Sequence, residues 1–182
     1  PDNRWLSASE FRNALLHMKL KAFNEPGHWD YFISHAQVDG ATLAEAIYSS
    51  MKYEHHKRCW LDVKMKERDE EAMQEGVRNS STFLAIVSEK YFTRPFCIKE
   101  LEWAIKFEKG IVVVIDVGLK SKIGDLLQLC PQNLRTIGSI NFIDLNRGDV
   151  DYWKVGMKKI LEAERKVLIK PRKVMPSRSH SV

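Results

Sequence analysis

Glycine is scarce and scattered in this 182-residue chain, which has nine glycines and no cluster of them. The phosphate-binding patterns GxGxxG and GxxxxGK followed by Ser or Thr are both absent. The GxSxG sequence that presents the nucleophile of many hydrolases is absent as well. These absences argue against the usual nucleotide-binding loops and against a serine-hydrolase site, so an active site would have to use other residues.

Long apolar runs are also missing. No uninterrupted stretch approaches the roughly 18 apolar residues of a membrane-spanning helix, and the N-terminus shows no basic segment followed by an apolar core. The sequence therefore predicts a domain without a transmembrane segment.

Cysteine is limited to three residues, Cys59, Cys97 and Cys130, which are far apart and lie in apolar surroundings. An odd number of dispersed cysteines predicts free buried thiols in a reducing compartment, here the cytoplasm. The single histidine pair, His55-His56, has no Cys or carboxylate at metal-ligand spacing, so no metal site is expected.

Acidic residues are missing from the C-terminal segment. Residues 165–182 contain six of the 29 basic residues of the chain and none of its acidic ones. Residues 1–164 therefore contain 23 basic and 24 acidic side chains. The positive net charge is therefore a property of the tail, and a neutral body is not expected to bind nucleic acid. We interpret residues 169–182 as a basic tail without fixed structure.

What the sequence does contain is an alternation of strand and helix patterns. A capping box at Ser7 and Glu10 begins a helix that ends before Pro26-Gly27. Apolar runs then predict five strands, at 31–33, 59–63, 83–87, 111–115 and 140–145. Helical patterns follow them, at about 39–52, 69–78, 95–109, 123–130 and 150–168. This alternation predicts a doubly wound α/β domain with a parallel sheet.

The helix after the third strand carries an unusual carboxylate. At about 100° per residue, Glu100 falls inside the apolar arc, with Phe96 one turn before it and Trp103 one turn after it. A carboxylate in such surroundings loses water and needs compensation. Glu100 is therefore a candidate site residue. The alternative is a structural glutamate bonded to a backbone N–H, a lysine or an arginine.

Polar residues occur where the predicted strands end. These are His35, Asp62, Ser88 and Asp116, and ligands of open parallel sheets collect at that edge. The pattern predicts a cleft formed by His35, Asp62 and Glu100. Taken alone, His35 and Asp62 are more typical of loop fixing or helix capping. Asp39 is expected to cap the helix that follows the first strand.

Four stretches carry a resemblance to a known family. They are DYFISH at 30–35, WLD at 60–62, FLAIVS at 83–88 and FCIKEL at 96–101, in the order and spacing of a Toll/interleukin-receptor (TIR) domain. The resemblance covers about 29–161. It implies a flavodoxin-like five-stranded parallel sheet, here preceded by a helix and linker at 1–28, with the TIR domain itself at 29–168.

The family includes enzymes that cleave NAD⁺ at the nicotinamide–ribose bond, and their essential glutamate follows an aromatic residue by four positions. Phe96 and Glu100 match that pattern, although the aromatic is usually Trp. The resemblance thus implies Glu100 as the catalytic residue. It implies substrate contacts from Phe96, from Asp62 and from the loop at 34–39, which contributes Ser34, His35 and Asp39. NAD⁺ would be a substrate, and no cofactor is expected.

Other family members are adaptors that signal by assembly alone, in immunity among other pathways. The charged loop at 64–68 corresponds to the family's assembly loop and lacks the proline of many receptor members. Self-association, or pairing with other TIR domains, is expected in either case. A phosphoacceptor receiver domain is disfavoured because Ser34-His35 stands where an acidic cluster is required.

Overall fold

The computed structural model describes residues 29–66 and 68–169, and the side chains of its last helix as far as residue 166. In this part of the chain the strands are β1 (Trp29–His35), β2 (Cys59–Trp60), β3 (Ser80–Val87), β4 (Gly110–Asp116) and β5 (Phe142–Leu145). The α-helices are α1 (Ala41–Tyr53), α2 (Glu70–Arg78), α3 (Pro95–Lys106), α4 (Ile123–Gln128) and α5 (Val150–Ile169). The predicted N-terminal helix and residues 170–182 of the predicted tail lie outside the described residues.

The strands form one parallel sheet in the order β2-β1-β3-β4-β5. The chain runs outward from β1 to β2, returns to β3 on the other side of β1, and then continues to β5. The strand order therefore reverses between β1 and β3, which is where open α/β sheets form their clefts. This arrangement confirms the predicted doubly wound fold.

Helices cover both faces of the sheet, which explains why the central strands are apolar throughout. One core contains Phe32, Phe83 and Val113 from the sheet, packed against α2, α3 and α4. The other contains Ile33 and Leu84, packed against α1 and α5. Successive residues of a strand point to opposite faces, so Ser34 shares the α3 face with Phe32, and His35 shares the α1 face with Ile33.

The absence of a side chain at Gly76 lets α2 approach β2. A Cβ atom at this position would lie 2.8 Å from the indole ring of Trp60, which is buried. The Trp60 ring in turn stacks on Phe32 at a centroid distance of 4.5 Å. Close packing on this side fixes the β2 edge, where the chain leaves the sheet toward Asp62.

Two strands are shorter than predicted. β2 ends at Trp60 rather than at residue 63, because the chain turns there into a 3-10 helix at Asp62–Lys64, where the Asp62 side chain accepts the backbone N–H of Val63. β5 begins at Phe142 rather than at 140. Two further 3-10 helices, Val117–Lys122 and Gln132–Ser139, flank α4 and were not predicted.

The three cysteines are free and buried, as predicted. Across residues 29–66 and 68–169, no helix is both long and apolar enough to cross a membrane. In the same part of the chain, no three His, Cys, Asp or Glu side chains lie together as a metal site.

Candidate functional site

Glu100 is buried at the carboxyl edge of the sheet. Helix α3 starts at Pro95, as predicted, and its second turn directs the Glu100 side chain toward the end of β1, where the residue is 7% exposed. Its Oε2 atom accepts a hydrogen bond from Ser34 Oγ at 2.5 Å. The helical phase read from the sequence therefore placed this carboxylate in the correct layer.

The contacts of Glu100 can be compared with its two interpretations. Among residues 29–66 and 68–166, no lysine or arginine forms an ion pair with Glu100, and its hydrogen-bond partner there is a hydroxyl rather than a backbone N–H. The contacts of the described residues therefore do not support the structural ion pair. What remains is a desolvated carboxyl group held by one neutral donor.

Burial raises the pKa of Glu100 to about 8, mainly because the charged form is deprived of water. The Ser34 hydrogen bond lowers the pKa and the nearby negative charge of Asp62 raises it, and both effects are smaller than that of burial. A pKa this far above the ordinary range marks a group whose charge depends on its surroundings, which is common in functional sites.

This raised pKa predicts a pH dependence of stability. The folded state holds the proton of Glu100 up to about pH 8, while the unfolded chain releases it near the ordinary value of 4.5. The contribution of Glu100 to the free energy of unfolding should therefore fall as pH rises between these two values, then level off. Urea unfolding of the wild type and of Glu100→Gln should show the variant gaining relative stability with pH over this window.

The control for that experiment is Glu102→Gln, which changes an exposed carboxylate on the same helix. It removes one carboxylate from α3 and leaves the buried Glu100 in place. The same pH dependence of stability in the Glu100 and Glu102 variants would contradict the raised pKa of Glu100.

Tyr91 is part of the site and was missed from the sequence. It opens the 3-10 helix Tyr91–Thr93 between β3 and α3, it is fully buried, and its hydroxyl lies 2.8 Å from Ser34 Oγ. The three side chains thus form a chain of contacts, Tyr91 to Ser34 to Glu100. No sequence periodicity indicates it, because the connection between β3 and α3 has no regular pattern.

Asp39 has a different role from the predicted one. Helix α1 is capped by Gly40 without a side-chain hydrogen bond, so the prediction that Asp39 caps this helix was wrong. Asp39 instead accepts a hydrogen bond from Ser88 Oγ at 2.7 Å and from the backbone N–H of Lys90 at 2.9 Å. It therefore ties the loop after β1 to the loop that leads to Tyr91.

Two other candidates are placed differently from the prediction. The His35 ring is on the α1 side of the sheet and its Nε2 atom pairs with Gln37 Oε1 at 2.8 Å, so the predicted cleft of His35, Asp62 and Glu100 does not form as one cluster. Phe96 was expected in the buried arc, but it is 50% exposed, with the Lys99 ammonium 5.5 Å from its ring centroid. Asp62 is near enough for its charge to act on Glu100.

A cavity of about 340 Å³ opens at the same edge of the sheet. It lies on the α1 side, and its lining comprises Asp39, Gly40, Thr42, Leu43, Ile86, Val87, Ser88, Asp116, Gly118, Leu119 and Arg147. Ser34, Glu100 and Phe96 do not line it. The hydrogen bond between Asp39 and Ser88 therefore belongs to the wall of this cavity, while Glu100 lies in the α3 layer.

The fold and the buried edge carboxylate define a doubly wound α/β domain with a candidate site at its strand-order reversal. Comparison with known families identifies it further, since the profile of the TIR domain matches residues 32–161. The chain belongs to the TIR domain family.

Solved structures show the same fold. The TIR domains of the activated Roq1 resistosome, which directly recognizes the pathogen effector XopQ, align with a TM-score of 0.55 at 18% identity, covering 74% of this chain and 98% of theirs. The TIR domain of the Toll-related receptor TRR-2 from Hydra magnipapillata aligns with a TM-score of 0.56 at 14% identity, covering 75% of this chain and 98% of that one. No curated protein matches the sequence. At these identities the likeness establishes the fold alone.

Proposed function

We propose that this TIR domain is a NAD⁺ glycohydrolase that cleaves the nicotinamide–ribose bond with Glu100 as its catalytic residue. The observation that carries the proposal is the buried Glu100 carboxyl group, which has a hydroxyl as its hydrogen-bond partner and lies at the edge where such sheets bind ligands. A purely structural glutamate would be expected to have a cationic or backbone partner.

The proposed reaction suits a single carboxylate. Nicotinamide leaves NAD⁺ as a neutral molecule from a cationic ring, so its departure needs no general acid, unlike ordinary glycoside cleavage. Positive charge then develops on the ribose, and a carboxylate in a dry site stabilises it more than it would in water. Water or the adenine of the substrate attacks the ribose, giving linear or cyclic ADP-ribose.

The proposed mechanism requires the ionised form of Glu100 and therefore predicts how the activity depends on pH. The charged form is needed, so kcat/KM should rise as pH approaches the pKa of about 8. The positive nicotinamide ring of bound NAD⁺ lowers the pKa of a neighbouring carboxyl group. The rise in kcat should therefore come at lower pH than the rise in kcat/KM.

The direct test is to incubate the purified protein with NAD⁺ and to separate the products by chromatography. Release of nicotinamide together with ADP-ribose or its cyclic form supports the proposal. If NAD⁺ remains intact at high protein concentration across the pH range, the proposed activity is excluded.

The second candidate function is a TIR module that signals by assembly without turnover. Large apolar side chains are exposed on α3 and next to the proposed assembly loop. Phe96 is 50% exposed and Ile105 40% exposed on α3, and Val63, which directly precedes the loop, is 42% exposed. Exposed apolar side chains are consistent with protein contacts. This function accounts for these surfaces but not for the buried carboxyl group of Glu100.

We further propose that activity requires self-association, because the family resemblance implies a site completed by a neighbour's loop. Activity per molecule should rise with protein concentration, and reversing the charge of Lys64 and Lys66 should weaken this rise. Among the described residues, Lys64 pairs with exposed Glu45 at 2.7 Å and lies 5.7 Å from the ring centroid of Tyr48. Such surface contacts contribute little to stability, so reversing the charge of Lys64 should leave folding intact. Lys158→Glu, on the exposed side of α5, is the matched control.

A dilution series with sedimentation analysis measures both quantities together. Constant activity per molecule from dilute to concentrated protein would contradict a requirement for assembly.

The buried free thiols support a reducing compartment, so we propose that the protein works in the cytoplasm, in signalling or immunity.

A further inference from the structure

The position of the Tyr91 hydroxyl is fixed by its surroundings. The residue is fully buried, and its ring packs edge-on against Phe92 with centroids 5.3 Å apart. The loop before it is held by Asp39, which binds both Ser88 and the backbone of Lys90. Tyr91 therefore presents its hydroxyl to Ser34 from a rigid position.

The direction of the hydrogen bonds follows from counting donors and acceptors. In the described part of the chain, the Tyr91 hydroxyl has Ser34 Oγ as its single hydrogen-bond partner, at 2.8 Å. Ionised Glu100 has no hydrogen to donate, and a buried hydroxyl hydrogen without an acceptor is costly, so Tyr91 donates to Ser34 when Glu100 is ionised. The Ser34 hydroxyl has one hydrogen, which is then directed to Glu100 Oε2 at 2.5 Å.

We infer that Tyr91 is a positioning residue: by donating to Ser34 Oγ, it directs the Ser34 hydrogen toward Glu100 and so favours the carboxylate form of Glu100. Without the Tyr91 hydroxyl, the Ser34 oxygen is free to accept a hydrogen bond from the protonated carboxyl group of Glu100. The hydrogen bonds would then stabilise the neutral form of Glu100 instead of the carboxylate. The catalytic consequence rests on the proposed function, whereas the effect on Glu100 does not.

The charged and titratable groups that the structure describes around Glu100 do not stabilise its carboxylate form, so the hydrogen bonds from Tyr91 to Ser34 and from Ser34 to Glu100 have no competitor in that role. Asp62 raises the pKa of Glu100 through its negative charge, and the charge of Glu100 in turn raises the pKa values of Cys97 and Tyr91. The hydrogen bond from Ser34 is the influence that lowers the pKa of Glu100. A change in the direction of this bond should therefore be measurable.

The experiment is a titration of the Glu100 carboxyl carbon by NMR, without NAD⁺, in protein labelled with ¹³C-glutamate. The Glu100 signal is assigned by its absence in Glu100→Gln. Tyr91→Phe should raise the pKa of Glu100 by about half a unit to one unit, the value of one neutral hydrogen bond. Ser34→Ala should raise it at least as much, and adding Tyr91→Phe to Ser34→Ala should cause no further change.

Tyr31→Phe is the matched control, because Tyr31 is also fully buried and donates to a carboxylate, that of Glu164. It should leave the pKa of Glu100 unchanged. A second variant at position 91 should shift the pKa of Glu100 in the opposite direction to Tyr91→Phe. The hydroxyl of 3,5-difluorotyrosine is a stronger hydrogen-bond donor than that of tyrosine, so this variant should lower the pKa of Glu100. This variant also keeps the test available if Tyr91→Phe folds poorly.

An unchanged pKa in Tyr91→Phe, or additive shifts in the double variant, would overturn the inference. The same shifts in a protein that leaves NAD⁺ intact would support the role of Tyr91 and reject only the glycohydrolase. In an active enzyme, Tyr91→Phe should lower kcat/KM roughly 3- to 10-fold at neutral pH. The loss should disappear well above the pKa, where Glu100 is ionised in both proteins.

Discussion

Glu100→Gln should reduce NAD⁺ cleavage roughly 100- to 1000-fold or more, equivalent to about 3–4 kcal/mol of transition-state stabilisation. Glutamine keeps the size and polarity of the side chain and can still accept a hydrogen bond from Ser34. It lacks the negative charge that the proposed mechanism places beside the ribosyl cation. Turnover should be compared above pH 8, where the wild-type carboxyl group is ionised.

Stability separates this expectation from a purely structural role. Burial penalises the charged form of Glu100, so replacing it with neutral glutamine should leave the melting temperature unchanged or slightly higher, and more so as pH rises toward 8. If Glu100 instead held a buried cation, the same change would leave that cation unpaired and cost about 3–5 kcal/mol.

Both measurements should be made on one preparation, with Glu102→Gln as the exposed control on α3. Early melting of Glu100→Gln, or wild-type NAD⁺ cleavage by it, would end the catalytic assignment. A tenfold or smaller loss would mean that the carboxylate only helps to bind the substrate.

The features that the sequence predicted are those determined by local pattern. The apolar run of β3 indicated a strand covered on both faces, and Pro95 marked the start of α3. Helical phase then placed Glu100 in the buried layer, next to the fully buried Leu101. Each of these follows from the repeat of a helix or strand, which is a property of neighbouring residues.

The helical phase gave a wrong prediction of burial at the N-terminal end of α3. Phe96 lies in the predicted apolar arc, yet it is 50% exposed. The phase states which way a side chain points but not whether another element covers it there. Phe96 is in the first turn of α3, and its exposure depends on packing that the sequence does not reveal.

The hydrogen bonds of the site could not be predicted, because they join residues distant in sequence. Ser34 and Glu100 are 66 positions apart, Ser34 and Tyr91 are 57 apart, and Asp39 and Ser88 are 49 apart. Their partners depend on the order of β1 and β3 in the sheet. Asp39 was therefore predicted as a local helix cap, when its two partners lie on another loop.

A second buried carboxylate, Glu164, could have been predicted from helical phase in the same way, but it was not. Glu164 follows Met157 and Ile160 at helical spacing on α5, as Glu100 follows Phe96 on α3. It is 4% exposed. The two buried glutamates have different partners, since Glu164 has a cation and a phenol where Glu100 has a serine hydroxyl.

Glu164 joins α5 to the start of the sheet. Its Oε2 atom accepts the hydroxyl hydrogen of Tyr31 at 2.7 Å, and its Oε1 atom accepts from Lys57 Nζ at 2.8 Å. The Tyr31 side chain is fully buried, and the desolvation together with the Glu164 charge raises its pKa well above the usual value. Tyr31 packs with α5 on one face of the sheet, whereas Glu100 belongs to the α3 layer on the other face.

Glu164→Ala should therefore destabilise the fold by about 2–4 kcal/mol, because it leaves a buried phenol hydroxyl without an acceptor and Lys57 without its partner. For a domain of this size, the melting temperature should fall by about 5–15 °C. Glu162→Ala removes an exposed carboxylate two positions earlier on α5 and should change stability by less than about 0.5 kcal/mol. Tyr31→Phe should cost less than Glu164→Ala, since the pair of Glu164 and Lys57 survives it. Urea unfolding of the three variants measures these differences, and a Glu164→Ala protein as stable as Glu162→Ala would show that the network contributes nothing to the fold.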